Sequence, residues 1–106
     1  MSMGAPEPED CQSLADVTAG VEQIDREIIA QLSRRFAYMR AAARFKQDHS
    51  AIADEAPHRA HVMSARRAAF EQGVPVGLVG DFWDRLVDAS MAYERQAWER
   101  LRSSGE

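Results

Sequence analysis

The chain has few of the residues that interrupt regular structure or cross-link a fold. It contains 6 glycines, 4 prolines and one cysteine, Cys11, among its 106 residues. A single cysteine excludes an internal disulfide framework and any zinc site built on several cysteines. Because glycine and proline are scarce, we expect few turns and long elements of secondary structure. The length is that of one small domain.

Other absences narrow the classes of function. The 13 basic residues do not outnumber the 17 acidic ones, and the net charge of -4 argues against binding to nucleic acid. No apolar run approaches the roughly 20 residues that span a bilayer, so we expect no membrane partner. The first ten residues lack the basic and apolar parts of a signal region, which makes the cytoplasm the expected location. Glycine-rich phosphate loops and the common hydrolase motifs are also missing.

The most regular pattern is an apolar stripe in the first half of the chain. Ser13 is suited to be a helix N-cap, and Asp16 is suited to be the acidic partner of a capping box. Apolar residues then recur at steps of three or four, at Leu14, Val17, Val21, Ile24, Ile28, Leu32, Phe36 and Met39. This spacing predicts a helix that continues to about Asp48, with about 35 residues and a length of about 52 Å.

The length of this helix predicts a dimer. A compact globule of this size is roughly 30–35 Å across, so a helix of about 52 Å overshoots it. Since the apolar stripe follows the whole helix, its far end must be covered by something else. A second copy of the chain is the simplest cover, and we expect an intertwined homodimer. The alternative is a kink near Gly20 that folds the helix back on itself.

Two more helices are predicted after the first. Residues 50–56 are expected to be a connector, and a short helix over residues 57–72 is expected to end at Gly73. A loop over residues 74–77 then leads to a medium helix over residues 78–102. No segment alternates for long with the period of a strand. The predicted fold class is therefore all-α, a homodimeric bundle built from long, short and medium helices.

The two ends of the chain lack this periodicity. Residues 1–12 contain Pro6 and Pro8 among acidic residues and are expected to form a flexible N-terminal arm. Residues 103–106 are expected to form a C-terminal tail. The helical domain is therefore predicted to span residues 13–102.

Four charged residues occupy positions where the helical patterns place apolar side chains. Arg35 and Lys46 lie three turns apart on the stripe of the first helix, and Glu94 lies on that of the third. Arg59 is a weaker case in the first turn of the second helix. A buried charge must be compensated, which indicates a pocket in the bundle for a small carboxylate ligand. The alternatives are a buried structural pair of Arg35 with Glu94, or a Lys46 side chain that extends from a helix end into solvent.

Three histidines lie close together in the sequence, at His49, His58 and His61. With Asp54 or Glu55 they could hold a metal ion. Two histidines spaced three residues apart, without a third strong ligand, are more often exposed surface residues, and we expect no metal site.

Several short motifs are similar to those of a known family. They are Pro8-Glu9-Asp10-Cys11, Leu14-Ala15-Asp16, Ile24-Asp25, Arg34-Arg35 and Arg44-Phe45-Lys46. In these motifs the chain resembles the bacterial isochorismate-pyruvate lyases of salicylate and siderophore biosynthesis, which belong to the all-helical chorismate mutase family. The resemblance is dense over residues 8–46 and sparse over the third helix. It implies an intertwined homodimer with two active sites, the assembly that the helix length predicts on separate grounds.

The resemblance also implies a role for each candidate site residue. Arg35 and Arg59 would bind the carboxylates of a compact substrate of isochorismate or chorismate type. Lys46 would hydrogen-bond the ether oxygen of the enolpyruvyl group, where negative charge develops as the C–O bond breaks, and Glu94 would face the same oxygen. The walls of the pocket would be Met39, Ser90 and Met91. The implied reaction is the pericyclic cleavage of isochorismate to salicylate and pyruvate, with weak chorismate mutase activity and no cofactor.

Two positions depart from the family pattern. The family supplies a substrate-binding arginine from the first helix of the partner subunit, and Thr18 stands at that position here. Losing a charge-assisted hydrogen bond of roughly 1.5–3 kcal/mol weakens binding by one to two decades. Glu94 stands where the family has a glutamine or, in some mutases, a glutamate. An ionised Glu94 would repel an anionic substrate, whereas a protonated one could donate to the ether oxygen.

These departures leave two alternatives to the lyase. The fold could serve a different, less anionic ligand in specialised secondary metabolism, or it could be a catalytically silent dimeric binding module. We prefer a lyase to a mutase because of the N-terminal signature between Pro8 and Asp16.

Overall fold

The computed structural model of the chain describes residues 4–104, and within them it is helical and contains no strand. The elements are a 3-10 helix over Pro8–Asp10 and four α-helices, α1 (Leu14–Ala43), α2 (His49–Ala53), α3 (Glu55–Gln72) and α4 (Val76–Ser104). The predicted all-α class is confirmed. The last helix was predicted to be of medium length, but it has 29 residues and is nearly as long as α1, which has 30.

α1 begins where the capping pattern predicts. The Ser13 hydroxyl accepts a hydrogen bond from the Asp16 N–H at 3.1 Å, and the Asp16 carboxylate accepts one from the Gln12 N–H at 3.0 Å. Such reciprocal bonds stabilise the first turn of a helix, where backbone N–H groups lack partners. The helix continues through Gly20 without a break, so the chain does not fold back there.

The predicted end of α1 near Asp48 is wrong, because the helix ends at Ala43. The N–H groups of Arg44 and Phe45 bond to carbonyls only three residues earlier, a tighter spacing that closes the last turn. Asp48 belongs to the next helix, which it caps. α1 is therefore about 45 Å long at 1.5 Å per residue.

The predicted connector over residues 50–56 is also wrong in part, since it contains most of α2 and the start of α3. A carboxylate oxygen of Asp48 accepts a hydrogen bond from the Ala51 N–H at 3.2 Å, and one of Asp54 accepts from the Ala56 N–H at 3.1 Å. Aspartate is a favoured N-cap, and two caps six residues apart start two helices in quick succession. Pro57 is the third residue of α3, where proline is tolerated.

α3 ends at Gly73, as predicted. Gly73 has φ 73°, and the Val74 N–H bonds to the Ala69 carbonyl at 2.8 Å, a common C-terminal capping arrangement. α4 then starts two residues earlier than predicted and ends two residues later. It therefore includes Ser103 and Ser104, where a tail was expected, while Gly105, Glu106 and residues 1–3 lie outside the described residues.

The chain forms two compact units, one that ends at Arg35 and one that begins at Phe36. In the first unit the N-terminal arm is tied to α1, because the Ala5 N–H donates to the side-chain oxygen of Gln23 at 2.7 Å. The flexibility of the arm stays a prediction. The large apolar side chains that α1 exposes in this unit are Leu14, Val17, Val21, Ile24, Ile28 and Ile29. Most of the predicted stripe is therefore uncovered here.

The second unit has a small buried core. α4 packs against α3 and α2, and the buried apolar residues are Ala43, Ile52, Ala69, Leu86, Val87 and Ala97. The C-terminal part of α1 is attached to α4 through Tyr93. The ring of Phe36 meets the ring of Tyr93 edge-on at 5.0 Å between centroids, and Arg40 donates to the Tyr93 hydroxyl at 2.8 Å.

Candidate active site

The second unit brings together two of the predicted site residues, Lys46 and Glu94. The Lys46 Nζ lies 2.7 Å from Oε2 of Glu94. The Glu94 side chain is 2% exposed and that of Lys46 is 29% exposed. Removing a carboxylate from water is costly, so its burial requires a nearby cation. The structure therefore confirms that Glu94 is a buried charge and identifies Lys46 as the cation that compensates it.

The carboxylate oxygen of Glu94 that faces Lys46 is Oε2. Oε2 is buried, and no donor in the described part of the chain meets it at a hydrogen-bonding angle. The 2.7 Å contact with Lys46 is thus an ion pair whose attraction is electrostatic rather than a well-directed hydrogen bond.

Two other predicted residues, Arg59 and Met91, line a cleft of about 330 Å³ between α3 and α4. Arg59 is the fifth residue of α3, two positions further into the helix than predicted, because the helix begins at Glu55. The apolar residues that line the cleft are Val62, Met63, Val87 and Met91. Met91 precedes Glu94 by three residues on α4, so the cleft and the ion pair lie one helical turn apart.

The rim of this cleft carries charges of both signs. Arg59 and Arg66 are its cations, and Glu55, Asp84 and Asp88 are its carboxylates. Among the described residues none of these five forms an ion pair, so all remain available to a ligand. His58 also lines the cleft, and its Nδ1 is buried without a hydrogen-bond partner in the described part of the chain.

Ser90 and Met39 were predicted to line the walls of the pocket. Ser90 is fully buried, and its hydroxyl donates to the Leu86 carbonyl at 2.7 Å, one turn earlier on α4. Its polar group is therefore already used by the helix backbone. Met39 is half-buried on α1. The wall roles of both residues stay predictions.

Arg35 and Thr18 lie on α1 in the first unit. Partial burial lowers the pKa of the Arg35 guanidinium from its usual value, because desolvation disfavours the charged form. Arginine remains protonated at neutral pH even so. Thr18 is exposed and carries no charge. The substrate-binding roles expected of these two residues stay predictions.

A comparison with known families matches residues 17–95 of the chain to chorismate mutase type II. The chain belongs to the chorismate mutase type II family. The matched range contains all eight predicted site residues, from Thr18 to Glu94. The predicted family resemblance is confirmed.

A curated member of this family is similar to the chain over nearly its whole length. It is the isochorismate pyruvate lyase of Pseudomonas aeruginosa, with 34% identity over 99 residues. The similar region covers 92% of this chain and 96% of that protein.

Two residues that contact Lys46 were missed by the sequence reasoning. The Trp98 Nε1–H donates to the backbone carbonyl of Lys46 at 3.0 Å, and Arg102 Nη2 donates to the same oxygen at 2.7 Å. Both residues lie beyond the family match, which ends at residue 95. Their spacing of four and eight residues from Glu94 is the signal that places them on the same face of α4.

Within the described residues, no group of three or more histidine, cysteine, aspartate and glutamate side chains is arranged to hold a metal ion. The side chain of His49 lies outside the described residues. None of the described helices is both long enough and apolar enough to cross a bilayer.

Proposed function

We propose that the chain is a cytoplasmic pericyclic enzyme that cleaves isochorismate to salicylate and pyruvate, with weak chorismate mutase activity. The salicylate would serve siderophore or other secondary metabolism. The observation that carries this proposal is the buried Lys46–Glu94 pair, one turn from a cleft that Arg59 lines. The similarity to a curated isochorismate pyruvate lyase over 92% of the chain supports it.

The proposed reaction needs no cofactor. The ether C–O bond of the enolpyruvyl group breaks while one hydrogen moves from the ring to the enolpyruvyl methylene carbon. That carbon becomes the methyl group of pyruvate, and the ring becomes aromatic salicylate, so atoms and electrons balance within one substrate. The enzyme's task is then to position the substrate and to stabilise the charge that develops as the bond breaks.

Lys46 and Arg59 divide this task between them. The Lys46 ammonium would donate to the ether oxygen, where negative charge gathers, and Arg59 would bind a carboxylate. Glu94 holds the lysine, but at 2.7 Å it also neutralises part of its charge. The substrate oxygen must therefore compete with a carboxylate for Lys46, which favours a slow enzyme.

The proposed enzyme is an intertwined homodimer. Leu14, Val21 and Ile24 are 80%, 55% and 52% exposed on α1, and apolar residues at this spacing form one face of a helix. Apolar faces of this extent are usually covered in the working form of a protein. A second copy that covers this face would bring its own α1, and with it Thr18, to the assembly.

A second candidate is a less anionic ligand in the same pocket. The cleft rim carries three carboxylates against two arginines, and Lys46, the cation beside Glu94, is already paired. Thr18 adds no positive charge. These observations favour a ligand with a single carboxylate over one with two.

The proposed function is tested by assaying the purified protein with isochorismate and with chorismate, from acidic to neutral pH. We expect salicylate and pyruvate in equal amounts. Lys46→Ala should lower kcat by at least about 100-fold, as loss of a transition-state donor does. Arg67→Ala, at an exposed position of α3, is the matched control and should not change the rate.

Turnover no faster than in buffer at every pH would contradict this function. Thermal-shift measurements then separate the remaining alternatives. Stabilisation by monocarboxylates but not by dicarboxylates would support the less anionic ligand. Stabilisation by no small carboxylate would support a silent binding module.

A further inference from the structure

The backbone of Lys46 is bound by α4, as its side chain is. Its carbonyl oxygen accepts two hydrogen bonds, from Trp98 Nε1 at 3.0 Å and from Arg102 Nη2 at 2.7 Å. The two donors also contact each other, since the Arg102 guanidinium carbon lies 4.8 Å from the centre of the Trp98 ring. A cation over an aromatic face is attracted to it, so each donor helps to orient the other.

Three residues on one face of α4 contact this lysine. Glu94, Trp98 and Arg102 are spaced by four residues, so they follow one another along the same side of the helix. Glu94 meets the amine at the tip of the side chain, while the other two bind the carbonyl at its base. The lysine is thus fixed at both ends by a single rigid element.

Lys46 needs such contacts because it belongs to no helix or strand. It lies in the segment over residues 44–48, between the end of α1 and the start of α2. Its side chain has four rotatable bonds, and its backbone lacks the repeating hydrogen bonds of a helix. Two bonds to the carbonyl restrict rotation of the adjoining peptide and set the direction in which the side chain leaves the backbone.

We propose that Trp98 and Arg102 are positioning residues that hold the backbone of Lys46 so that its amine stays beside Glu94 at the reacting bond. This proposal rests on the proposed function for the catalytic part of Lys46. The positioning itself is a property of the ligand-free protein. It can therefore be measured whether or not the proposed substrate is correct.

The chain offers a clean probe, because Lys46 is its only lysine. Reductive methylation with carbon-13 formaldehyde gives one side-chain dimethylamine signal, besides that of the N-terminus, and keeps the positive charge. Hydrogen exchange of the amides of residues 44–48 reports on the backbone independently. Neither measurement requires turnover.

Three variants separate the two donors from general packing. Trp98→Phe keeps an aromatic ring beneath Arg102 but removes the N–H donor. Arg102→Leu removes the second donor, and Arg102→Gln keeps an N–H donor without the charge. The control is Arg85→Leu, which removes a charge from an exposed position of the same helix.

We expect Trp98→Phe and Arg102→Leu to speed amide exchange over residues 44–48 by about tenfold or more and to shift the lysine signal. With substrate, kcat should fall by roughly tenfold or more while KM changes much less, because a displaced donor mainly affects the transition state. Arg102→Gln should recover part of both effects, and Arg85→Leu should resemble the parent protein.

The outcomes distinguish the two proposals. Unchanged exchange and an unchanged lysine signal in both donor-removing variants, with helix content retained, would overturn the positioning role. Full kcat in these variants of an active enzyme would overturn it too. If the parent protein turns over neither substrate while the exchange and the lysine signal still respond, the positioning role stands and the proposed function falls.

Discussion

Both units of this chain contain a helix with a regular apolar face, but the face is buried in the second unit and exposed in the first. In the second unit α4 buries Leu86, Val87 and Ala97 against α3 and α2, and it buries Glu94 with a cation beside it. In the first unit α1 carries an equally regular apolar face, yet Leu14 remains 80% exposed. Periodicity predicts which face of a helix is apolar, but it does not identify the chain that covers that face.

The largest expected effect comes from placing a charge on the uncovered face. Ile24→Glu should raise the dimer dissociation constant by at least about 100-fold, because each copy loses roughly 1.5–3 kcal/mol of apolar burial and must bury a carboxylate. Sedimentation equilibrium measures this change. Ser33→Glu, at an exposed position of α1 away from the stripe, should leave assembly unchanged. Equal assembly of the two variants would contradict the proposed dimer face.

In the second unit the corresponding test removes the cation from the buried pair. Lys46→Ala should lower the free energy of unfolding by about 3 kcal/mol, the low end of the range for a broken buried pair, since the lysine is partly exposed. Urea unfolding measures the loss. The double variant Lys46→Ala with Glu94→Gln should recover part of it, because no uncompensated charge remains. A double variant no more stable than Lys46→Ala would refute the charge explanation.

The next test places at position 18 the arginine that the family resemblance implies. Thr18→Arg should tighten binding of a dicarboxylate substrate by one to two decades, as a new charge-assisted hydrogen bond of roughly 1.5–3 kcal/mol would. KM for isochorismate and chorismate measures this, with Thr18→Gln as the uncharged control. Improved activity would indicate a weakened lyase, whereas no improvement would favour a ligand with fewer carboxylates.

The smallest effects come from the helix caps, one in each unit. Ser13→Ala and Asp54→Ala each remove an N-cap acceptor and should cost about 1 kcal/mol of stability. Thermal unfolding at several protein concentrations sharpens the comparison. If the first unit depends on a second copy, the unfolding temperature of both variants should still depend on protein concentration. Both variants should also lose similar amounts of stability. A cap loss well above 2 kcal/mol in either unit would show that the residue does more than cap.

The sequence predicted local features well. The stripe of α1 was visible because its steps of three and four are unbroken, and Gly73 was visible because a glycine is favoured where φ is positive. Glu94 was recognised because a carboxylate on an apolar face needs an explanation. Each of these features depends on residues within one or two turns of each other.

Non-local contacts explain what the sequence did not reveal. The segment after α1 is held by Trp98 and Arg102, which lie 52 and 56 residues beyond Lys46. Periodicity carries no information about such a partner, so the helix was extended to Asp48. By contrast, α2 could have been predicted, because the N-cap at Asp48 is a local signal. Asp48 was instead assigned to the end of the preceding helix.

The uncovered face of α1 has a consequence for how the proposed activity scales. If a second copy must close that face, the amount of complete enzyme follows the square of the chain concentration when chains are dilute. Specific activity would then fall on dilution and approach a plateau when chains are abundant. In a cell that makes little of this protein, the activity per chain would be lower than in a cell that makes much of it. The concentration of the chain would therefore act as a threshold for product formation.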